Sequence, residues 1–176
     1  MNIQVLDDSS WEIEKIKFEK FEGLNEKILD CLKTFSEFYV NRHTSHRVKW
    51  VFGVMTAEVQ IQKLNKPYLL TCNLIQLAIL QLLEKKGPLT IKILSDYLSF
   101  ETKQTLHEIH FLWASPNYNG KKNVNLGLVI PENHVNEKEL NENLVVKINP
   151  NFQHNSIKIS SVPSTAPKVK IKIKLK

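Results

Sequence analysis

Two histidine pairs are the first residues of this 176-residue chain that invite a chemical reading. His43 and His46 lie in the stretch FYVNRHTSHRVKW, from Phe38 to Trp50, which also carries Arg42, Arg47 and Lys49. Paired histidines bind zinc when a third or fourth ligand joins them, but no cysteine or further histidine stands nearby in sequence. The plainer reading is a polar helix end, with Arg42 and His43 near a C-terminus that favours positive charge. The second pair is His107 and His110 in HEIH. It is one residue short of the H-E-x-x-H helix motif, in which a four-residue step presents both rings to zinc and the glutamate serves as base. A three-residue step also shares a helix face, but Leu106 and Ile109 flank the pair as core positions. No G-x-S-x-G, P-loop or G-x-G-x-x-G occurs, and neither Cys31 nor Cys72 has a histidine or acidic partner in view. The residues thus point away from an autonomous enzyme, and no metal or cofactor is expected.

The elements around these residues follow from apolar spacing. Leu24, Ile28, Cys31, Phe35 and Phe38 recur at steps of three and four, which predicts an amphipathic helix ending near Asn41. IQVL, Ile3 to Leu6, reads as a short strand closed by DDSS. RVKWVFGVMTAEVQIQ is rich in β-branched and aromatic residues. Its later part alternates Met55, Ala57, Val59 and Ile61 with polar positions, the period of a half-buried strand. A turn at Asn65 and Pro67 then leads to a further strand, YLLT. Asn73 to Lys85 is a strongly apolar helix, with Asn73 and Gln76 placed as a capping box and Gly87-Pro88 as its stop. Two further helices are predicted, one after Leu89 with Thr90 as cap and one in ETKQTLHEIHFLW. A turn at SPNYNGKK comes next. VNLGLVI and NLVVKINPNFQHNSIKIS read as strands, joined by the polar connector ENHVNEKELNEN. The fold class expected is α+β: a helix plus an antiparallel β-sheet layer, followed by a winged helix-turn-helix. The expected division is 1–72 for the helix and sheet layer, 73–160 for the winged helix, and 161–176 for a linker and basic tail.

Charge argues against nucleic acid once it is located. The net charge of +6 includes five lysines in the tail KVKIKIKLK, Lys168 to Lys176; without them 19 basic residues face 18 acidic ones. The third helix of the winged unit, where a DNA reader would place its arginines, has Lys103 and Gln104 set against Glu101 and Glu108. As a strand the tail has one apolar and one cationic face; it is open to pairing with a sheet edge, to an acidic partner, or to being a solvated terminus. No run of 18 apolar residues or secretory leader is found, so no membrane contact is expected. The two cysteines read as buried free thiols of a protein in a reducing, intracellular compartment, cytoplasm or nucleus.

FYVNRHTSHRVKW resembles the cullin signature F-Y-x-x-K-H-S-G-R-K-L-x-W. Phe38, Tyr39, His43 and Trp50 stand at matching positions, Arg42 takes the first basic place, and His46 and Arg47 take the Arg-Lys pair. Val48 replaces leucine and Ser45 replaces glycine. Further along, Gln76 and Leu80 match the Q-x-x-x-L of the family's winged-helix segment. Asn149, Phe152, Ile157, Lys158 and Ile159 match the stretch that closes it, and Trp11 stands ahead of the first helix as a tryptophan does in cullins. The likeness runs from about Gln4 to Ser160. A family pattern like I-V-R-I-M-K, with a lysine modified by a ubiquitin-like protein, finds no convincing counterpart.

The resemblance implies a non-catalytic scaffold of a cullin-RING ubiquitin ligase. Its partner would be a RING-box protein that adds a strand to the sheet and recruits the ubiquitin-conjugating enzyme. The residues expected as sheet positions near that strand are Ile3, Val5, Val48, Trp50 and Phe52, while Phe38 and Tyr39 anchor the helix and Trp50 the sheet. The alternatives are a cullin-like subunit of the anaphase-promoting complex and a winged-helix DNA-binding module. A metalloenzyme built on HEIH is the least favoured, and zinc analysis of the purified protein tests it.

Overall fold

A computed structural model describes residues 5, 23–62, 66–113, 126–132 and 141–162, and the backbone of 171–175. Among the described residues the first element is helix α1 (Glu26–Arg42), followed by strands β1 (Thr56–Ile61) and β2 (Tyr68–Asn73). Helix α2 (Leu74–Lys86), the short strand β3 (Leu89–Thr90), and helices α3 (Ile91–Leu98) and α4 (Thr102–Trp113) follow. Strands β4 (Val129–Pro131), β5 (Val145–Ile148), β6 (Lys158–Ser160) and β7 (Ile171–Leu175) complete the order. The class is α+β, with four helices and two small sheets among the described residues.

One sheet runs β6-β2-β1-β7 and the other β3-β5-β4. In the first, β1 and β2 are antiparallel, with Ala57 opposite Cys72 and Val59 opposite Leu70. The expected antiparallel layer holds for this central pair, but β7 joins β1 and β6 joins β2 in parallel. The second sheet is antiparallel throughout.

Helix α2 links the two layers. Leu74 through Leu80, with Leu82 and Leu83, are all buried. A helix apolar on nearly all sides must be covered on all sides, and α2 packs against β1 and β2 on one side and against α3, α4 and β5 on the other. Its capping box forms as the sequence predicts: the Asn73 side chain accepts from Gln76 N at 2.7 Å, and Asn73 N donates to Gln76 Oε1 at 3.2 Å. Gly87 ends the helix with φ of 83°, a region that disfavours any residue with a Cβ. Thr90 caps α3 by accepting from Ile93 N.

Helix α1 forms as expected but turns a different face inward. Leu24, Ile28 and Leu32 are buried, while Cys31 and Phe38 are exposed. Leu24, Ile28 and Phe35 belong to either stripe, and the ambiguity lay in whether the next step is three or four. Leu32 gains more from burial than Cys31, so the helix follows Leu32 and then Tyr39. The predicted pair of buried thiols is therefore corrected: Cys72 is buried, Cys31 is not. The strand expected from Arg47 onward begins only at Thr56. Residues 46–51 form no strand, and Val51 O accepts from Val54 N and Met55 N in a turn. The β-branched and aromatic composition read as strand is here a connection whose Trp50 packs on α1.

The IQVL strand, apart from Val5, lies outside the described residues, as do Trp11, the turn SPNYNGKK and most of the polar connector. Ser161, expected to open a linker, is instead buried at 2% exposure and extends β6 by donating from its N to Thr71 O at 3.0 Å.

Candidate functional site

Two surfaces and one interior network collect the residues singled out by sequence. The first surface is the aromatic face at the end of α1. Phe35, Tyr39 and His43 follow one another at four-residue steps, so their rings stand in a row. Ring centroids are 6.0 Å apart for Phe35 and Tyr39 and 4.6 Å for Tyr39 and His43. His46 closes the row at 5.5 Å from His43. Trp50 returns from the connection to meet Phe35 at 5.5 Å, and its Nε1 donates to Ser36 Oγ at 3.0 Å. Ser36 in turn donates to Leu32 O at 2.9 Å. The His43–His46 pair is thus part of an aromatic stack. Phe38 points away, 52% exposed, with the Arg42 guanidinium 4.8 Å from its ring centre.

The expected partner-facing residues are spread by this arrangement. Val5 is 52% exposed, Val48 and Trp50 are half-buried in the connection, and Phe52 is buried at 3% in the turn before β1. Ile3 lies outside the described residues. None of Val48, Trp50 and Phe52 is a sheet position, which corrects that expectation: Trp50 packs on α1, and Phe52 is buried in the core. Phe38, expected as an anchor, is exposed, and Phe35 holds Trp50 in its place.

The second surface is the sheet edge. β1 has β2 on one side and β7 on the other, with Ala57 paired to Ile171, Glu58 to Lys172, Val59 to Ile173, Gln60 to Lys174 and Ile61 to Leu175. Of the three roles left open for the tail, the structure takes up edge pairing.

The interior network centres on Glu108. Its Oε2 accepts from Asn73 Nδ2 at 2.8 Å and from Gln76 Nε2 at 2.9 Å. Gln76 Oε1 accepts in addition from Ser161 Oγ at 2.5 Å. Four residues from α4, the start of α2 and the end of β6 are tied by these bonds. Burial pushes the Glu108 carboxyl above its ordinary value, partly offset by the two amides and by His107. Burial also drives the Cys72 thiol strongly upward, with the Glu108 charge adding to it. The glutamate of HEIH is therefore turned inward, while His107 lies exposed beside Phe111, ring centres 4.7 Å apart. Among the described residues no three histidine, cysteine or acidic side chains are gathered to hold a metal. Sequence reasoning missed this network; the signal was an acid at a helix position flanked by core residues, opposite a two-amide cap.

These features define an α+β unit in which an apolar helix couples a strand layer to a helical layer. Residues 5–152 match the family described as the cullin alpha+beta domain. That is most of the chain, and the chain belongs to the cullin family, whose members are scaffolds. No curated protein matches the chain. No helix among the described residues is long and apolar enough to cross a membrane.

Proposed function

We propose that this chain is a non-catalytic scaffold of a cullin-RING ubiquitin ligase, which holds a RING-box protein and through it a ubiquitin-conjugating enzyme. The match to the cullin alpha+beta domain over residues 5–152 carries this reading. The sheet supports it: its edges are the kind of surface on which an added strand gains main-chain hydrogen bonds. The order α2, β3, α3, α4, β4, β5, with β5 between β3 and β4, supports a winged helix-turn-helix within 73–160. On this reading residues 1–72 form the docking unit and 161–176 a separate tail segment, although β6 returns to the first sheet. Ile3, Val5, Val48 and Trp50 are proposed to face the partner. Phe52, expected beside them, is buried in the core and acts through the stability of the unit. The protein works inside the cell, in cytoplasm or nucleus.

Co-expression with a RING-box protein from the same source, followed by size-exclusion chromatography, tests the proposal. A stable one-to-one complex that builds ubiquitin chains with a conjugating enzyme is the expected result. A folded chain that elutes without the RING-box protein overturns it.

A further inference from the structure

The tail strand β7 matches β1 rung by rung. Ala57, Val59 and Ile61 pair with Ile171, Ile173 and Leu175, and Glu58 and Gln60 with Lys172 and Lys174. Paired residues in adjacent parallel strands share a face of the sheet. The register therefore puts Ile171, Ile173 and Leu175 on the sheet face that carries Ala57 and Val59, both fully buried, and Lys172 and Lys174 on the other face. A slip of one residue would bring lysines to the rungs of Ala57 and Val59, so the register is specified by sequence.

The same strand is built to be dispensable. It has five residues and, among the described residues, one neighbouring strand, at the end of the strand order. Its sequence carries a lysine at every second position, a composition that blunts an outer edge against further pairing. Short segments bonded on one side open at the low end of a protein's range of local stability. Beneath it, β1 is held independently by β2 along all six residues, so it stays a formed strand when β7 leaves.

We infer that the edge of β1 away from β2 is a strand-docking site and that the chain's own strand β7, Ile171–Leu175, is its resident occupant. The incoming partner is an extended segment with apolar residues at every second position, to match Ala57, Val59 and Ile61. Resting on the scaffold reading, that segment is the strand of the RING-box protein, and tail and partner exclude one another. A tethered tail competes at an effective concentration of order millimolar, so its removal is expected to tighten partner binding at least tenfold.

The test compares the full chain, the full chain with Ile173→Lys, and a chain ending at Pro167, each verified as folded by circular dichroism. The probes are a labelled peptide of sequence KVKIKIKLK and the RING-box protein. The expected result is saturable peptide binding to the shortened chain and to the Ile173→Lys chain, at least tenfold weaker to the full chain, with the RING-box protein following the same order. Peptide binding that is absent from all three, or equal in all three, overturns the inference, as does a RING-box affinity that ignores the tail. If the RING-box protein binds none of them, the scaffold reading falls. The guarded edge is then judged on the peptide alone, by the same two outcomes.

Discussion

Glu108 Oε2 and Asn73 Nδ2 lie 2.8 Å apart although 35 residues separate them in sequence. Asn73 uses its side-chain oxygen to cap α2 and its side-chain nitrogen to hold α4. One residue therefore both starts the central helix and fixes a second helix against it. With Gln76 bonded to the same carboxylate oxygen and to Ser161, the strand β6 is drawn into the same joint. Among the described residues every buried side-chain polar atom has a partner, so the joint is fully satisfied.

Replacing Glu108 by alanine leaves two amide groups facing a vacated site. The expected loss is about 1–3 kcal/mol of unfolding free energy, read by chemical denaturation. Glu108→Gln keeps an oxygen acceptor and removes the charge, so a smaller change is expected. If alanine and glutamine cost the same, the carboxylate is not the acceptor that holds the joint.

The same pair of proteins separates in its pH dependence. Burial raises the folded-state carboxyl above its ordinary value of 4.5. The folded form therefore binds the proton more tightly, and this contribution to stability is complete below the ordinary value and lost as pH rises through the folded one. Lowering pH from neutral into the acid range is expected to stabilise the wild type relative to Glu108→Gln. Parallel stability curves across that range would remove the shifted carboxyl from the account.

Cysteine reactivity is expected to divide the two thiols. Cys31 is exposed on α1, whereas Cys72 is buried, with its thiol held protonated by burial and by the nearby Glu108. Only the thiolate is nucleophilic. A thiol reagent near neutral pH is expected to label Cys31 alone in the native protein and both cysteines in denaturant. Rapid native labelling of Cys72 would contradict the packing of β2.

Much of the architecture was legible in the chain because single residues carried it. Asn73 with Gln76 announced the start of α2, Gly87-Pro88 its end, and Thr90 the cap of α3. The helix face of α1 was legible only in part, since Cys31 and Leu32 both continue the stripe and only the packed partner decides. The stretch from Val48 to Phe52 misled for a related reason. Aromatic and β-branched residues favour any half-buried surface, and a connection lying on a helix offers one as well as a strand does. The site was less legible still. The bonds of Glu108 and Ser161 join positions far apart in sequence, and no local spacing reports them.

Trp50 is expected to stabilise the end of α1 through two separable contacts. Trp50→Ala removes the ring that meets Phe35 and, for a half-buried tryptophan, is expected to cost about 3 kcal/mol. Trp50→Phe retains most of the ring and loses the N–H bond to Ser36, for about 1 kcal/mol. Ser36 keeps its own bond to Leu32 O, so it is not orphaned. Denaturation of Trp50→Phe in wild-type and Ser36→Ala backgrounds checks this: the cost is expected to vanish in the second. A phenylalanine variant as damaging there as in the wild type would place the contribution elsewhere.

Gly23 and Gly87 offer a controlled contrast between backbone strain and crowding. Both have positive φ, 113° and 83°, so alanine is strained at either, by about 1–3 kcal/mol. At Gly87 an added Cβ meets nothing within 4 Å, whereas at Gly23 it comes within 3.0 Å of Leu82 Cδ1 and Cγ and 3.3 Å of Ala78 Cβ. Gly23→Ala is therefore expected to be the more costly, because overpacking adds its own penalty to the strain. Leu82→Ala makes room for the new methyl, so the double variant is expected to be more stable than the sum of the two single losses implies. Leu82→Ala in the Gly87→Ala background is expected to be additive. Additivity in both backgrounds would mean that the entry of α1 does not press against α2 at Leu82, and that the loss at Gly23 comes from backbone strain alone.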